Sequence, residues 1–146
     1  MRYMKIAICA SLDFNKEIGE IAEQLIKQGH EVLIPETSAM IFNGDISFEQ
    51  IMKEKENGEI YERIIDQDAI KCHYLKIKES DAILVLNYDK KGINNYIGAS
   101  TFLEIGFAHI LGKKIFLLND VPDMLHKDEI RGMQPVVLRG DLSKIN

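Results

Sequence analysis

Three prolines, two cysteines and no surplus of basic charge in 146 residues mark what this chain has little of. Scarce proline beside only ten glycines excludes fibrous and low-complexity classes. Two cysteines, Cys9 and Cys72, are too few for a small disulfide scaffold, so reduced thiols and a cytoplasmic location are expected. With 18 basic against 23 acidic residues the formal charge is −5, which argues against nucleic-acid polymers and anionic membranes as partners. Small phosphorylated ligands stay open, because backbone amides bind a phosphate without net positive charge. No apolar run approaches bilayer length. Residues 1–10 resemble a leader peptide at first sight, but Asp13, Lys16 and Glu17 cut the apolar stretch short, and it reads as a buried first strand.

Standard site signatures are missing too. There is no Walker loop, and no Gly-x-Gly-x-x-Gly follows the first apolar run. His30, His73, His109 and His126 show no metal-ligand spacing with each other or with the cysteines, and no nucleophile elbow is readable. His73 and Cys72 are neighbours on a helix and point apart. Neither a metal nor a cofactor is expected.

What is present is a globular pattern, 46% hydrophobic, with no repeat, linker or composition break, so residues 1–146 read as one domain. Apolar runs at 5–9, 31–34, 82–86, 114–118 and 136–138 predict strands. Helical spacing predicts helices over 14–28, closed by Gly29, and over 59–78 as one long helix. Further helices are expected briefly after Ser47, over 101–111 closed by Gly112, and near Met124; the acidic stretch 53–59 reads as a solvated face. Alternating strands and helices predict an α/β sandwich of flavodoxin or Rossmann type, with a mostly parallel five-stranded sheet flanked by helices. A ligand then sits beyond the strand C-termini, among loops 10–14, 87–101 and 119–123.

The informative segment is 96–109. Its helix is apolar on almost every side, which predicts burial all round, and carries one carboxylate, Glu104. Thr101 and Glu104 have capping-box spacing, so one reading makes Thr101 the N-cap and Glu104 its partner. The functional reading aims Glu104 into a pocket, where it attacks a sugar carbon. Gly98, Ser100 and Thr101 suit a phosphate or sugar hydroxyls at a helix start, and equally suit any helix start. For Ser11 and Asp13, capping the next helix is the simpler reading.

Residues 80–87, Gly98 to Ala108, and Gly112-Lys113-Lys114 together resemble the nucleoside 2-deoxyribosyltransferase-like superfamily. The pattern is a strand opening with Asp81, a loop, a Glu-φ-Gly-φ-Ala helix, then Gly-Lys and another strand; its specific part is 80–118. The resemblance implies a flavodoxin-like fold and a deoxyribosyltransferase or deoxynucleoside-monophosphate hydrolase. It makes Glu104 the nucleophile that expels the base and leaves a glycosyl-enzyme. The chain departs from the pattern where transferases usually carry an acid (Gly98 here), an Asp on the preceding helix (His73 here), and a tyrosine in the first strand (Ile8 and Cys9 here). His73 stands there either as a proton donor or as the mark of a different leaving group.

The leading expectation is therefore an enzyme acting on a small nucleoside or nucleotide, with hydrolysis favoured over transfer. Glu104 and His73 are its catalytic candidates, and Ser11, Phe14, Asp81, Asn87, Gly98, Ser100, Thr101 and Asn119 its substrate-binding candidates. A non-catalytic nucleotide-binding or sensing module and a purely structural subunit are the alternatives. A homo-oligomer is expected because so apolar a helix in a small domain wants a partner surface.

Overall fold

The computed structural model describes residues 3–146; Met1 and Arg2, which open the leader-like segment, lie outside the described residues. Strands β1 (Lys5–Cys9), β2 (Glu31–Leu33), β3 (Ala82–Val85), β4 (Lys114–Leu117) and β5 (Val136–Val137) form one sheet in the order β2-β1-β3-β4-β5. Every pairing is parallel, with Cys9 beside Val85 and Val85 beside Leu117. This is the doubly wound order, whose direction reverses between β1 and β3. The fold expectation holds, with a sheet that is wholly parallel among the described residues.

Strand periodicity divides the core. Ile6, Ile8, Leu84 and Phe116 pack on one face with Ile18, Ile21 and Leu25 of α1 (Asn15–Lys27). Their neighbours in sequence, Ala7, Cys9, Ile83, Val85, Ile115 and Leu117, point the opposite way. There they meet Ile77 of α5 (Ala69–Lys78), Ile105 and Ala108 of α6 (Ala99–Ile110), and Ile130 of α7 (Lys127–Gly132). With both faces covered, the strands have no polar side, which is why they read as continuous apolar runs. Each fully buried Ile or Leu contributes roughly 1.5–3 kcal/mol of transfer free energy.

Four expectations about helices need correction. Residues 59–78 form two helices, α4 (Ile60–Asp66) and α5, because Asp68 adopts a left-handed conformation with φ 48°. Aspartate tolerates that region better than most residues, and no Gly or Pro announces the break. The mixed region 36–57 holds α2 (Glu36–Phe42) as well as α3 (Phe48–Glu56), the latter capped by Ser47 as expected. The helix expected near Met124 is α7, which starts at Lys127. Finally, α6 is not buried all round, since Leu103 is 47% and Ile110 84% exposed.

Candidate active site

Side-chain parity explains the site. Cys9 ends β1 on the same face as Ala7, so its thiol points toward α5 and α6 rather than α1. His73 stands one turn before Ile77 on the inward side of α5, only 4% exposed. Glu104 lies one turn before Ala108 on α6, with its side chain 17% exposed. Cys9 Sγ is 3.5 Å from His73 Nε2, and that nitrogen is 4.0 Å from Glu104 Oε2. One thiol, one imidazole and one carboxyl thus converge just past the point where strand order reverses.

Burial dominates their chemistry. It pushes the Glu104 carboxyl up to about 8, opposed only by a hydrogen bond with Cys9. It drives the Cys9 thiol well above its ordinary value, and the Glu104 charge adds to that. For His73, burial and then the Lys76 charge hold the imidazole down to about 4. At neutral pH, then, Cys9 and His73 are neutral and Glu104 is mostly so.

Above this cluster opens a cavity of about 340 Å³, within the size range of small-molecule sites. His73 and Glu104 line it, as do Ser11, Gly98, Ser100 and Thr101. Its apolar wall comes from Ile60 and Ile64 on α4 and Ile70 on α5, and its far edge from Pro35 to Thr37 after β2. Breaking the 59–78 segment at Asp68 is what swings α4 into this wall.

Charged pairs clasp the rim. Asp13 takes Lys90 Nζ at 2.9 Å and also bonds to Lys55 Nζ, while Lys90 reaches Ser11 Oγ at 3.1 Å. Burial works against the Asp13 charge, but hydrogen bonds from Lys55 and Lys90 outweigh it and hold its pKa below the ordinary value. Lys90 also stands 5.1 Å from the centre of the Tyr96 ring. The acidic stretch 53–59 is therefore not merely a solvated face: Lys55 turns to the cavity, and Glu54 holds Arg63 in a two-bond pair, each bond 2.7 Å.

Several residues singled out from sequence stand elsewhere. Asp81 lies at the N-terminal end of β3, opposite the cavity, where its carboxylate accepts the Lys5 amide at 2.8 Å. Phe14 is buried edge-on against Tyr88. Asn87, fully buried, donates to the carbonyls of Asn119 and Asp120 and accepts the Asn119 amide. This lock ties the ends of β3 and β4 together, and loop 119–123 does not line the cavity. Ser11 caps the 3-10 turn Leu12–Phe14, accepting the Asp13 amide at 3.3 Å, and faces the cavity as well.

The capping box does not form. The N-cap of α6 is Gly98, so Thr101 and Glu104 are interior residues. A Cβ on Gly98 would lie 3.1 Å from Tyr96 Cε1, so the bare glycine lets the Tyr96 ring close over the helix start. Sequence reasoning missed Cys9, Lys55, Lys90, Tyr96 and the α4 wall. Only Cys9 left a signal, as a thiol at the end of a fully apolar strand.

The fold and this site define a doubly wound α/β protein with a half-buried carboxyl at its switch point. The chain matches no family model and no curated protein. Among the solved structures similar to it are two. One is a 2-deoxyribosyltransferase of Bacillus psychrosaccharolyticus, 24% identical, covering 77% of this chain and 70% of its own, with a TM-score of 0.46. The other is a CMP N-glycosidase of Clostridium botulinum, 20% identical, covering 91% of this chain and 85% of its own, also at 0.46. No helix among the described residues is long and apolar enough to cross a membrane.

Proposed function

We propose that the protein breaks the N-glycosidic bond of a nucleoside or nucleoside 5′-monophosphate, with Glu104 as nucleophile. The observation that carries this is the position of Glu104, whose half-buried carboxyl faces the cavity at the switch point. The resemblance of residues 80–118 to the deoxyribosyltransferase-like superfamily agrees with it.

Two steps follow. The Glu104 carboxylate attacks the anomeric carbon, the base departs with the bonding electrons and takes a proton from solvent water, and a glycosyl ester remains. Water then attacks the same carbon, breaking the ester and regenerating the carboxylate. Burial makes the anion scarce at pH 7 and poorly solvated, which suits a reactive nucleophile. His73, uncharged at neutral pH, suits the base that takes the proton of water rather than an acid for the departing base. Ser11, Ser100 and Thr101, together with the backbone at Gly98, supply hydroxyl and amide groups for the sugar or its phosphate. Hydrolysis is favoured over transfer, since Gly98 stands where transferases of that superfamily usually carry an acid.

A binding or sensing module is the second reading: with burial pushing the Glu104 carboxyl up to about 8, its neutral form donates a hydrogen bond to a ligand where its anion attacks a sugar carbon. A homo-oligomer remains our expectation, with Leu103 and Ile110 as apolar surface on α6. The test is incubation with ribo- and 2′-deoxynucleosides and their 5′-monophosphates, with free base followed by chromatography. Base released by wild type and not by Glu104→Ala supports the enzyme. Saturable binding without release, unchanged in Glu104→Gln, supports the module instead.

A further inference from the structure

We propose that Cys9, His73 and Glu104 form a binding site for a borderline-soft divalent cation, Zn²⁺ or its analogue Co²⁺, with one coordination position open to the cavity. The three donor atoms lie within 4.8 Å of one another. The thiol and imidazole are 3.5 Å apart, and the imidazole and carboxylate 4.0 Å. Tetrahedral zinc, with bonds of about 2.0–2.3 Å, holds such donors roughly 3.3–3.7 Å from each other. The thiol–imidazole spacing already lies in that range, and a turn of the Glu104 side chain brings its oxygen the remaining distance, roughly 0.3–0.7 Å, toward the imidazole.

The donors are preorganised by the fold. They come from β1, α5 and α6, with Cys9 fully buried and His73 nearly so. Sulfur with nitrogen and one oxygen is a set that zinc accepts and that magnesium and calcium, which prefer oxygen alone, do not. On binding, the Cys9 thiol and the Glu104 carboxyl each lose any proton they carry, and His73 binds as neutral imidazole. A dication with a thiolate and a carboxylate has no net charge, which a poorly solvated site tolerates far better than a bare ion. Three protein ligands with a free fourth position facing a cavity is the arrangement of catalytic rather than structural zinc.

This site shares Glu104 with the proposed nucleophile but does not rest on that reading. A bound ion occupies the carboxylate and competes with glycosyl transfer to it.

The experiment is absorption spectroscopy of the whole chain, stripped with a chelator and titrated with Co²⁺. We expect tetrahedral visible bands and a thiolate-to-cobalt charge-transfer band that saturate at one equivalent and are displaced by Zn²⁺. Cys9→Ser should remove the charge-transfer band, Cys72→Ser should keep it, and Glu104→Gln should weaken binding tenfold or more. If Cys9→Ser does not fold, His73→Gln serves, with loss of the tetrahedral bands expected. No charge-transfer band in wild type, or one that survives Cys9→Ser, overturns the site. Base release in parallel samples keeps the two ideas apart. Bands in the metal-loaded protein, with no base release from any substrate by the chelator-stripped protein, leave the metal site standing and remove the glycosidase; base release indifferent to Zn²⁺, without bands, does the reverse.

Discussion

His73 Nε2 stands 4.0 Å from Glu104 Oε2, and the two groups avoid an ion pair by holding opposite shifts, His73 down to about 4 and Glu104 up to about 8. Burial is the first cause of both shifts, because it disfavours whichever form is charged. This relationship makes the site legible in solution.

The first prediction concerns stability in metal-free protein. Above the ordinary carboxylate range and below pH 8, folded Glu104 keeps a proton that the unfolded chain releases, so stability falls as pH rises. His73 acts oppositely: its protonation in the unfolded chain lowers stability as pH falls below about 6.5. Between pH 6.5 and 8 only the Glu104 effect operates of these two. Chemical denaturation should show wild type losing up to roughly 2 kcal/mol across that window relative to Glu104→Gln. Parallel stabilities of the two proteins would show that Glu104 is ionised when folded.

The pH–rate profile comes next. With Glu104 as nucleophile, kcat/KM for base release rises with pH and levels off near 8, tenfold per unit on the ascending limb. Steady-state kinetics between pH 5.5 and 9 on the best substrate will show this. A profile already flat at pH 6 would assign the attack to another group.

Asn87→Ala should be costly without touching the cavity. It leaves the part-buried Asn119 amide and the carbonyls of Asn119 and Asp120 without their partner, a loss of about 2 kcal/mol by denaturant unfolding. Asn119→Ala removes only the bond from its side chain to the Asn87 carbonyl and should cost about 1 kcal/mol. Equal costs would mean that the lock does not depend on the buried amide.

Glu54 and Arg63 set an acid limit. Their paired hydrogen bonds hold the Glu54 carboxyl down to about 2, so the pair's contribution is present above pH 4.5 and lost as pH falls toward 2. Glu54→Gln should lower stability by about 1 kcal/mol at pH 7, and much less at pH 3. Thermal unfolding at both pH values measures the difference.

Asp13→Asn is expected to loosen the cavity rim. It removes the charge that gathers Lys55 and Lys90, so amide exchange in loop 87–98 should quicken while the strands stay protected. Unchanged exchange in that loop would mean that Lys90 is held by Ser11 and Tyr96 alone.

Much of the fold was readable because strand burial is written locally. Apolar runs such as 82–86 belong to strands covered on both faces, and Gly29 and Gly112, with φ of 95° and 70°, close their helices as the spacing predicts. The break at Asp68 was not readable, since a single left-handed aspartate carries no pattern. The start of α6 was misread for a similar reason: Thr101 and Glu104 satisfy capping-box spacing, but the chain turns helical earlier, after Gly98.

For the site, sequence singled out Glu104, His73, Ser11, Gly98, Ser100 and Thr101, all of which border the cavity, and also Asp81, Phe14, Asn87 and Asn119, which do not. For Asn87 and Asn119 loop membership does not decide the role, because an asparagine at a strand end either faces the ligand or ties two strands, and both uses need the same residue.

The sequence by itself determined the class: alternating apolar strands and amphipathic helices make a parallel sheet, and Glu104 is the one carboxylate in its most apolar helix. Only the tertiary structure decided the company Glu104 keeps. Cys9, His73 and Glu104 are separated by 64 and 31 positions along the chain. They meet because β1 ends, α5 crosses and α6 begins at one place, and that meeting depends on strand parity and helix packing that no local spacing records.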